Sequence, residues 1–288
     1  MKKQILIILL VLPVLSIAQK LSISPFYNIN CGVLPTTWNS TNDHTIVTID
    51  TSITKYSGEA KNISLGAGKR VGVNIEYKKW NLVSAGASLS YFSSSDKPIN
   101  SISEAEYDPY TIYNLEIATS DIYRNKSLDF GLYTHFLLYD KNSTPYFNAG
   151  IVLSYSNYTL NREVNIRNNL PGYYPTEKYV FDYKISPSLH YGLTGSAGIE
   201  INRNKTISMF AETYAILMNV SPTKRKCTSA IWNSDDYMGN MTTSEKETDY
   251  VDSVAETDNQ NDNEPSKLLK YNQSFCSIGI KAGLKINF

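Results

Sequence analysis

Apolar and polar residues alternate along most of this chain, and the alternation is sharpest in its last stretch. Cys276, Ile278, Ile280, Ala282, Leu284, Ile286 and Phe288 interleave with Ser277, Gly279, Lys281, Gly283, Lys285 and Asn287. A period of two sends one set to each face of a strand. Seven earlier segments carry the same period, at about 21–33, 61–78, 82–93, 126–139, 145–160, 184–201 and 206–220. In each, one face is apolar. Ile23, Tyr27, Ile29, Cys31 and Val33 form it in the first, and Leu65, Val71, Val73, Ile75 and Tyr77 in the second. Leu128, Phe130, Leu132, Phe136 and Leu138 form it in the fourth, with Asp129, Gly131, Tyr133, His135 and Tyr139 opposite. The other faces are small, polar or charged.

The connections alternate in length. Three are short and built from turn residues, at 79–81, 140–144 and 202–205; four are long, at about 34–60, 94–125, 161–183 and 222–269. Alternating short turns and long loops is the arrangement of an antiparallel barrel that crosses a membrane. At the start of the chain, Lys2 and Lys3 precede an apolar run, and Ser16-Ile17-Ala18 has the small-x-small spacing of a signal-peptidase site. Residues 1–18 are therefore expected to be a signal peptide and 19–288 a single domain. After residue 18 no stretch approaches the ~18 apolar residues of a membrane helix, and an exported chain without one is either soluble or a closed barrel.

Composition agrees with strands. The chain holds 22 Tyr and 9 Phe with only 19% charged residues, and is rich in Asn, Ser and Thr. Net charge is zero, so no basic excess points to nucleic acid.

An alternating last strand that ends on an aromatic, together with eight strands and the short and long connections, resembles the bacterial outer-membrane β-barrel domain family of small eight-stranded porin-like and opacity-like proteins. The resemblance spans 19–288. It implies an all-β, eight-stranded antiparallel up-and-down transmembrane barrel with long extracellular loops, in the outer membrane of a Gram-negative bacterium. It also implies contact with outer-membrane lipid and lipopolysaccharide, and a sorting signal at Phe288 read by the barrel assembly machinery. No motif narrows it to a subfamily.

Eight strands enclose a space just wide enough for side chains to fill. On the inward faces lie Arg70, Glu76, Glu200, Glu212, Lys281 and Lys285, and buried charges have to be paired. A plug of interior ion pairs is expected in preference to a proton or ion path. Tyr77, Trp80, Tyr146 and Phe288 at the short-turn ends, and Tyr91, Tyr155 and Tyr158 at the long-loop ends, are expected to form two interfacial aromatic bands. Lys69, on the outward face, is expected either to meet lipid phosphate or to mark a bulge.

The long loops carry the chemistry that is left. The second holds Glu104, Glu106, Asp108, Glu116 and Asp121 among four tyrosines; the fourth has ten acidic residues between Asp235 and Glu264, preceded by Lys224-Arg225-Lys226. The expectation is a solvated, self-repelling loop, with the basic cluster near the membrane rim. Asp43-His44 with Asp235-Asp236 is similar to the catalytic set of the omptin surface proteases, but those have ten strands. His135 and His190 are expected to be interior hydrogen-bond partners, and three scattered histidines offer no metal spacing. Cys31 and Cys276 are expected to face outward at similar height, as two lipid-facing thiols or as a strained disulfide. These features point to a non-enzymatic surface protein without cofactor or metal, whose loops bind an unidentified partner. Alternatives are small-solute or hydrophobic-ligand transport, an assembly or secretion accessory role, and, less favoured, an omptin-like protease.

Overall fold

The computed structural model describes residues 21–38, 53–57, 61–78, 80, 82–106, 114–139, 142–168, 176–203, 205–255 and 261–288. The eight longest-patterned segments form strands β1 (Leu21–Gly32), β2 (Gly68–Lys78), β3 (Val83–Ser94), β4 (Asn114–Leu137), β5 (Ser143–Asn168), β6 (Glu177–Ile201), β7 (Ile207–Val220) and β8 (Ser277–Asn287). Their hydrogen bonding is ring-like. Each pairs antiparallel with the next, and β8 returns to pair with β1 through Ser22↔Asn287 to Gly32↔Ser277.

The sheet nevertheless has fifteen strands rather than eight. Among the described residues the expected long loops are largely strand: β4, β5 and β6 run 24, 26 and 25 residues, far past the other five, and continue as a sheet beyond the ring. Strands Lys97–Glu106 and Ile53–Ser57 extend it on one side, and Lys224–Trp232, Glu247–Val251 and Ser266–Leu269 on the other. All pairings are antiparallel except that of 247–251 with 266–269. A helical turn, Thr243–Lys246, starts with a capping box in which Thr242 and Glu245 satisfy each other's backbone N–H groups.

Alternation decides which side chains enter the ring. Ser22, Ser24, Asn28 and Asn30 of β1 are buried while Tyr27 and Ile29 are exposed, and the same inversion recurs on every ring strand. Two clusters fill the rest. The larger, including Leu65, Phe92, Tyr158, Ile216, Met218 and Phe275, sits where the ring meets the extension; the smaller, Phe26, Leu137, Tyr146 and Phe210, sits lower among the polar groups.

Several expectations need correcting. The ring strand starts at Gly68, not 61, and residues 61–63 pair with Thr36–Trp38 in a separate two-stranded sheet. Leu65 is consequently not outward but fully buried, its N–H donating to Ser274 O at 2.9 Å. Gly66 follows because a Cβ there would lie 2.5 Å from Cys276 O and 2.7 Å from Phe275 O. Cys276 turns inward with this crossing, its thiol 3.6 Å from Met218 O, whereas Cys31 is exposed; both are free, as is buried Cys227. Tyr146 and Tyr158 point into the ring rather than into aromatic bands, and Tyr139 is exposed at its turn. Lys69 is outward in an unbroken register with Ile29, so it marks no bulge. A bulge lies elsewhere: three residue steps of β6, Ile185 to Ser188, span the two steps from Tyr158 to Ser156 of β5. That extra residue reverses the faces of β6. Below it Leu189 and Tyr191 are outward; above it Ile185 and Tyr183 are buried.

Candidate functional site

The ring's interior is the most distinctive chemistry in the molecule. Lys285 of β8 reaches across to two strands at once, its Nζ lying 2.7 Å from Glu76 Oε2 on β2 and 3.2 Å from Glu200 Oε2 on β6. Glu76 also accepts from the Tyr133 hydroxyl at 3.1 Å, and Glu200 from Ser208 Oγ at 2.9 Å. Lys281, four residues earlier on the same face, pairs with Glu212. Glu212 Oε2 further accepts from the Tyr146 hydroxyl (2.8 Å), Ser196 Oγ (2.9 Å) and Asn148 Nδ2 (3.1 Å). Lys281 also lies 4.7 Å from the centre of the Phe26 ring and 4.8 Å from that of Tyr214. Such contacts favour a cation held out of water.

Arg70 sits apart from these two centres. Its Nε and Nη2 both donate to Asp129 Oδ2, at 3.1 and 2.8 Å, while Ser154 Oγ donates to Asp129 Oδ1 at 2.5 Å. The guanidinium is 1% exposed and stacks 5.0 Å from the Phe92 ring centre. Asp129 is the partner that the six-residue interior set lacked, although its inward parity was readable. Among the described interior groups, three cations thus face four carboxylates. His135 Nδ1 shares a 2.7 Å hydrogen bond with Asn148 Oδ1, and His190 is half-buried.

The interior is not an open channel. Leu65, Phe92 and Phe275 close it at the extension end, the two aromatic rings edge to face with centres 5.0 Å apart. The central cavities measure about 10 and 20 Å³, each room for roughly one water. At the short-turn end a cavity of about 340 Å³ opens between Trp80, Lys78, Arg203 and Phe288, with Glu76, Glu200 and Lys285 at its floor. Phe288 is exposed there and donates its N–H to Leu21 O at 3.0 Å.

The outer wall of the ring is the reverse. Tyr27, Ile29, Val71, Ile75, Leu89 and Tyr91 on β1 to β3 are exposed, as are Leu128, Phe130, Leu132, Ile151, Leu153 and Tyr155 on β4 and β5. Leu189, Tyr191, Leu193, Met209, Leu217, Ile280 and Leu284 continue the belt to the closing strand.

No protein-family model matches the chain, and no curated protein matches it. Among solved structures it is similar to the outer membrane protease OmpT of Escherichia coli, with 12% identity over 93% of this chain and 94% of that one, at a TM-score of 0.26. Asp235 and Asp236 are exposed on a two-residue bridge against Ile231 and Trp232, and Asp43 and His44 lie outside the described residues, as does the segment 1–18.

The extension carries its charges in pairs. Arg162 clamps Asp121 through Nε and Nη2, both at 2.8 Å, and the carboxylate beside it holds the guanidinium's pKa above its usual value. Lys226 meets Glu247 at 2.7 Å, Lys224 meets Asp249 at 3.4 Å, and Arg225 lies over the Tyr183 ring at 4.8 Å. Part of the fourth loop's charge is thus paired across strands, while Asp235, Asp236, Asp262 and Glu264 remain exposed. Sequence reasoning missed this because the pairs are formed between strands that it left as loop.

Proposed function

We propose that this protein is an eight-stranded outer-membrane β-barrel with a plugged lumen, and that it acts as a non-enzymatic scaffold presenting a strand-built surface for binding. The observation that carries this reading is the inversion of the wall. Arg70, Glu76, Glu200, Glu212, Lys281 and Lys285 are buried and large apolar side chains are exposed all round the ring. In water that arrangement exposes a contiguous apolar belt at a cost that lipid removes, while the interior charges, being paired, are tolerated in either setting. The span also fits: β2 and β8 are each 11 residues, close to the ~9–11 a tilted strand needs to cross a bilayer. A closed ring satisfies its backbone internally, as hydrocarbon demands.

An interior with paired charges and only water-sized central cavities argues against porin-like transport. Function then falls to the sheet projecting beyond the ring, whose strands are ordered by pairing rather than left as loose loops. Two measurements test this together. The folded protein should enter outer-membrane fractions and migrate differently in unboiled gel samples. Replacing residues 224–269 with a short Gly-Ser connection should leave that behaviour intact while removing adhesion of intact cells to whatever surface or molecule the wild type binds. Recovery in a soluble fraction would sink the barrel; unchanged adhesion would sink the binding surface.

A further inference from the structure

The interior charges of the ring do not balance, and the imbalance sits at one place. Arg70 answers Asp129 and Lys281 answers Glu212, one to one, but Lys285 faces two carboxylates, Glu76 at 2.7 Å and Glu200 at 3.2 Å. Glu76 is 7% exposed, Glu200 1% and Lys285 8%, so among the described groups of this centre one negative charge is buried without a counter-charge. Such a charge is strongly unfavourable. Acceptor capacity is left over as well. A carboxylate offers about four lone-pair sites, and Glu76 is met by Tyr133 and Lys285, Glu200 by Ser208 and Lys285.

A second group at the same place lacks a partner. Asn148 Nδ2 donates to Glu212 Oε2 and Ser196 Oγ, which turns its Oδ1 toward His135 Nδ1 at 2.7 Å. An amide oxygen only accepts, so Nδ1 carries the proton of that bond and Nε2 of the neutral ring keeps a lone pair. Nε2 is buried without a partner among the described residues, on a side chain 3% exposed, and the Tyr146 ring packs against the imidazole at 4.6 Å between centres. Glu76, Glu200, Lys285 and His135 all line the cavity of about 340 Å³ that opens at the short-turn end. That volume lies within the ~300–1,000 Å³ of small-molecule sites, and Leu21, Val83 and Leu137 add apolar wall beside the polar floor.

We propose that this cavity binds a primary alkylammonium, whose N–H groups reach His135 Nε2 and the carboxylates of Glu76 and Glu200 while its methylene stem lies along the apolar wall. The ligand supplies what the floor lacks, one positive charge together with hydrogen-bond donors. Lys285 Nζ already bridges the two carboxylates, so they are not free to close around a metal ion, and no group of three His, Cys, Asp or Glu among the described residues is set to hold one. A quaternary ammonium carries the charge but has no N–H, and leaves Nε2 unmet. The cavity ends on the packed centre of the ring, whose own cavities have room for roughly one water each, so it is a pocket and not a passage. The site needs the folded ring alone, so its failure would leave the scaffold reading standing.

The test uses the full chain folded in dodecyl maltoside, a detergent without nitrogen, and dansylcadaverine, a fluorophore on a five-carbon stem that ends in a primary ammonium. The probe's fluorescence anisotropy should rise saturably with protein, and the same probe acetylated on that nitrogen should bind at least tenfold more weakly; equal binding of the two overturns the site. Butylamine should displace the probe, and butyltrimethylammonium should do so at least fivefold less well; equal displacement overturns the role of the N–H donors. Glu200→Gln removes the excess charge yet keeps the Lys285–Glu76 pair and an amide oxygen for Ser208, so it should fold and bind the probe at least tenfold more weakly. Should it not fold, Ser84→Phe, opposite His135 on the β3–β4 ladder, should fill the cavity with the same loss, and unchanged affinity in whichever variant folds overturns the site. Free amines and the ethanolamine head of a phospholipid offer the same group. Adding phosphatidylethanolamine to the micelles separates them: a threefold or greater weakening of probe binding assigns the ammonium to the lipid, and a smaller one to a free amine.

Discussion

Replacing Glu212 with Ala strands four polar partners at once. Glu212 neutralises Lys281 and accepts from Tyr146, Ser196 and Asn148. Removing one partner of a buried pair costs about 3–5 kcal/mol, because the other charge is left without compensation in a low dielectric. The three donors left without their acceptor would each add about 1–3 kcal/mol in isolation, but they share one carboxylate and relax together, so the sum is not additive. Part of the cation's cost is offset by the Phe26 and Tyr214 rings beside Lys281. The expected loss is therefore about 3–5 kcal/mol, read from urea titrations of the protein folded into lipid vesicles. The decisive comparison is with Glu212→Ala/Lys281→Met, which removes the stranded charge and should recover at least about 1.5 kcal/mol. A single-variant loss under about 1 kcal/mol, or a double variant no more stable than the single, would refute the claim that the interior is held by paired charge.

Four further outcomes are expected. Gly66→Val should weaken closure at the extension end, since its side chain would run into the Cys276 and Phe275 carbonyls; unboiled gel mobility that shifts at a temperature at least 5 °C lower checks this. A charged maleimide should modify Cys31 in the detergent-solubilised folded protein and reach Cys276 and Cys227 only on unfolding, burial also pushing the Cys227 thiol pKa up; equal rates for all three would count against the inward turn at Cys276. Planar bilayers should show no porin-sized steps in current, and sustained steps would mean the interior is open. Acid should loosen the extension: hydrogen bonds from Lys178 and from Lys226 hold Glu163 and Glu247 below the usual 4.5, so their contribution is present above that pH and lost as pH falls through the lowered values, which amide exchange in 97–125 and 158–185 should register as faster opening below pH 4 than at pH 7.

Period-two patterning located the eight ring strands because each has one exposed apolar face and one face of packed polar groups, which is the condition that makes alternation visible. The six charged residues read as inward by parity, Arg70, Glu76, Glu200, Glu212, Lys281 and Lys285, are buried. Where an expectation ignored parity it missed: Tyr146 and Tyr158 share the even-numbered inward face of β5 with Ser154 and Ser156, and an aromatic near a strand end was not enough to put them outside. The extension was unreadable for a different reason. Residues such as Glu116, Thr119 and Asp121 on β4 lie in a sheet beyond the belt, where both faces can be polar, so no alternation announces a strand. Cys276 continues the odd-even pattern of Ile278 and Ile280 by sequence, yet β8 begins only at Ser277. The crossing of residues 273–276 over 64–66 carries Cys276 inward, a long-range contact that no local pattern records.

The same local rule explains why the ring breaks where it does. Between Ile185 and Leu193 the sequence still alternates well enough to be read as one strand, and it is one strand, but Pro187 and the extra residue beside it reverse its faces midway. A reversal inside a closed ring cannot be absorbed by the strand alone, because the partner across the seam must follow it or let go. On the β5 side the partner follows, taking up the extra residue with Ser156 and Tyr158 both still inward. On the β7 side Asn219 and Val220 transfer to Ser274 and Gln273, and Pro222 keeps the next residues out of the ladder until Arg225. The break thus falls where the inward and outward requirements of β6 change, from odd-numbered residues outward at Leu189 and Tyr191 to odd-numbered residues buried at Ile185 and Tyr183.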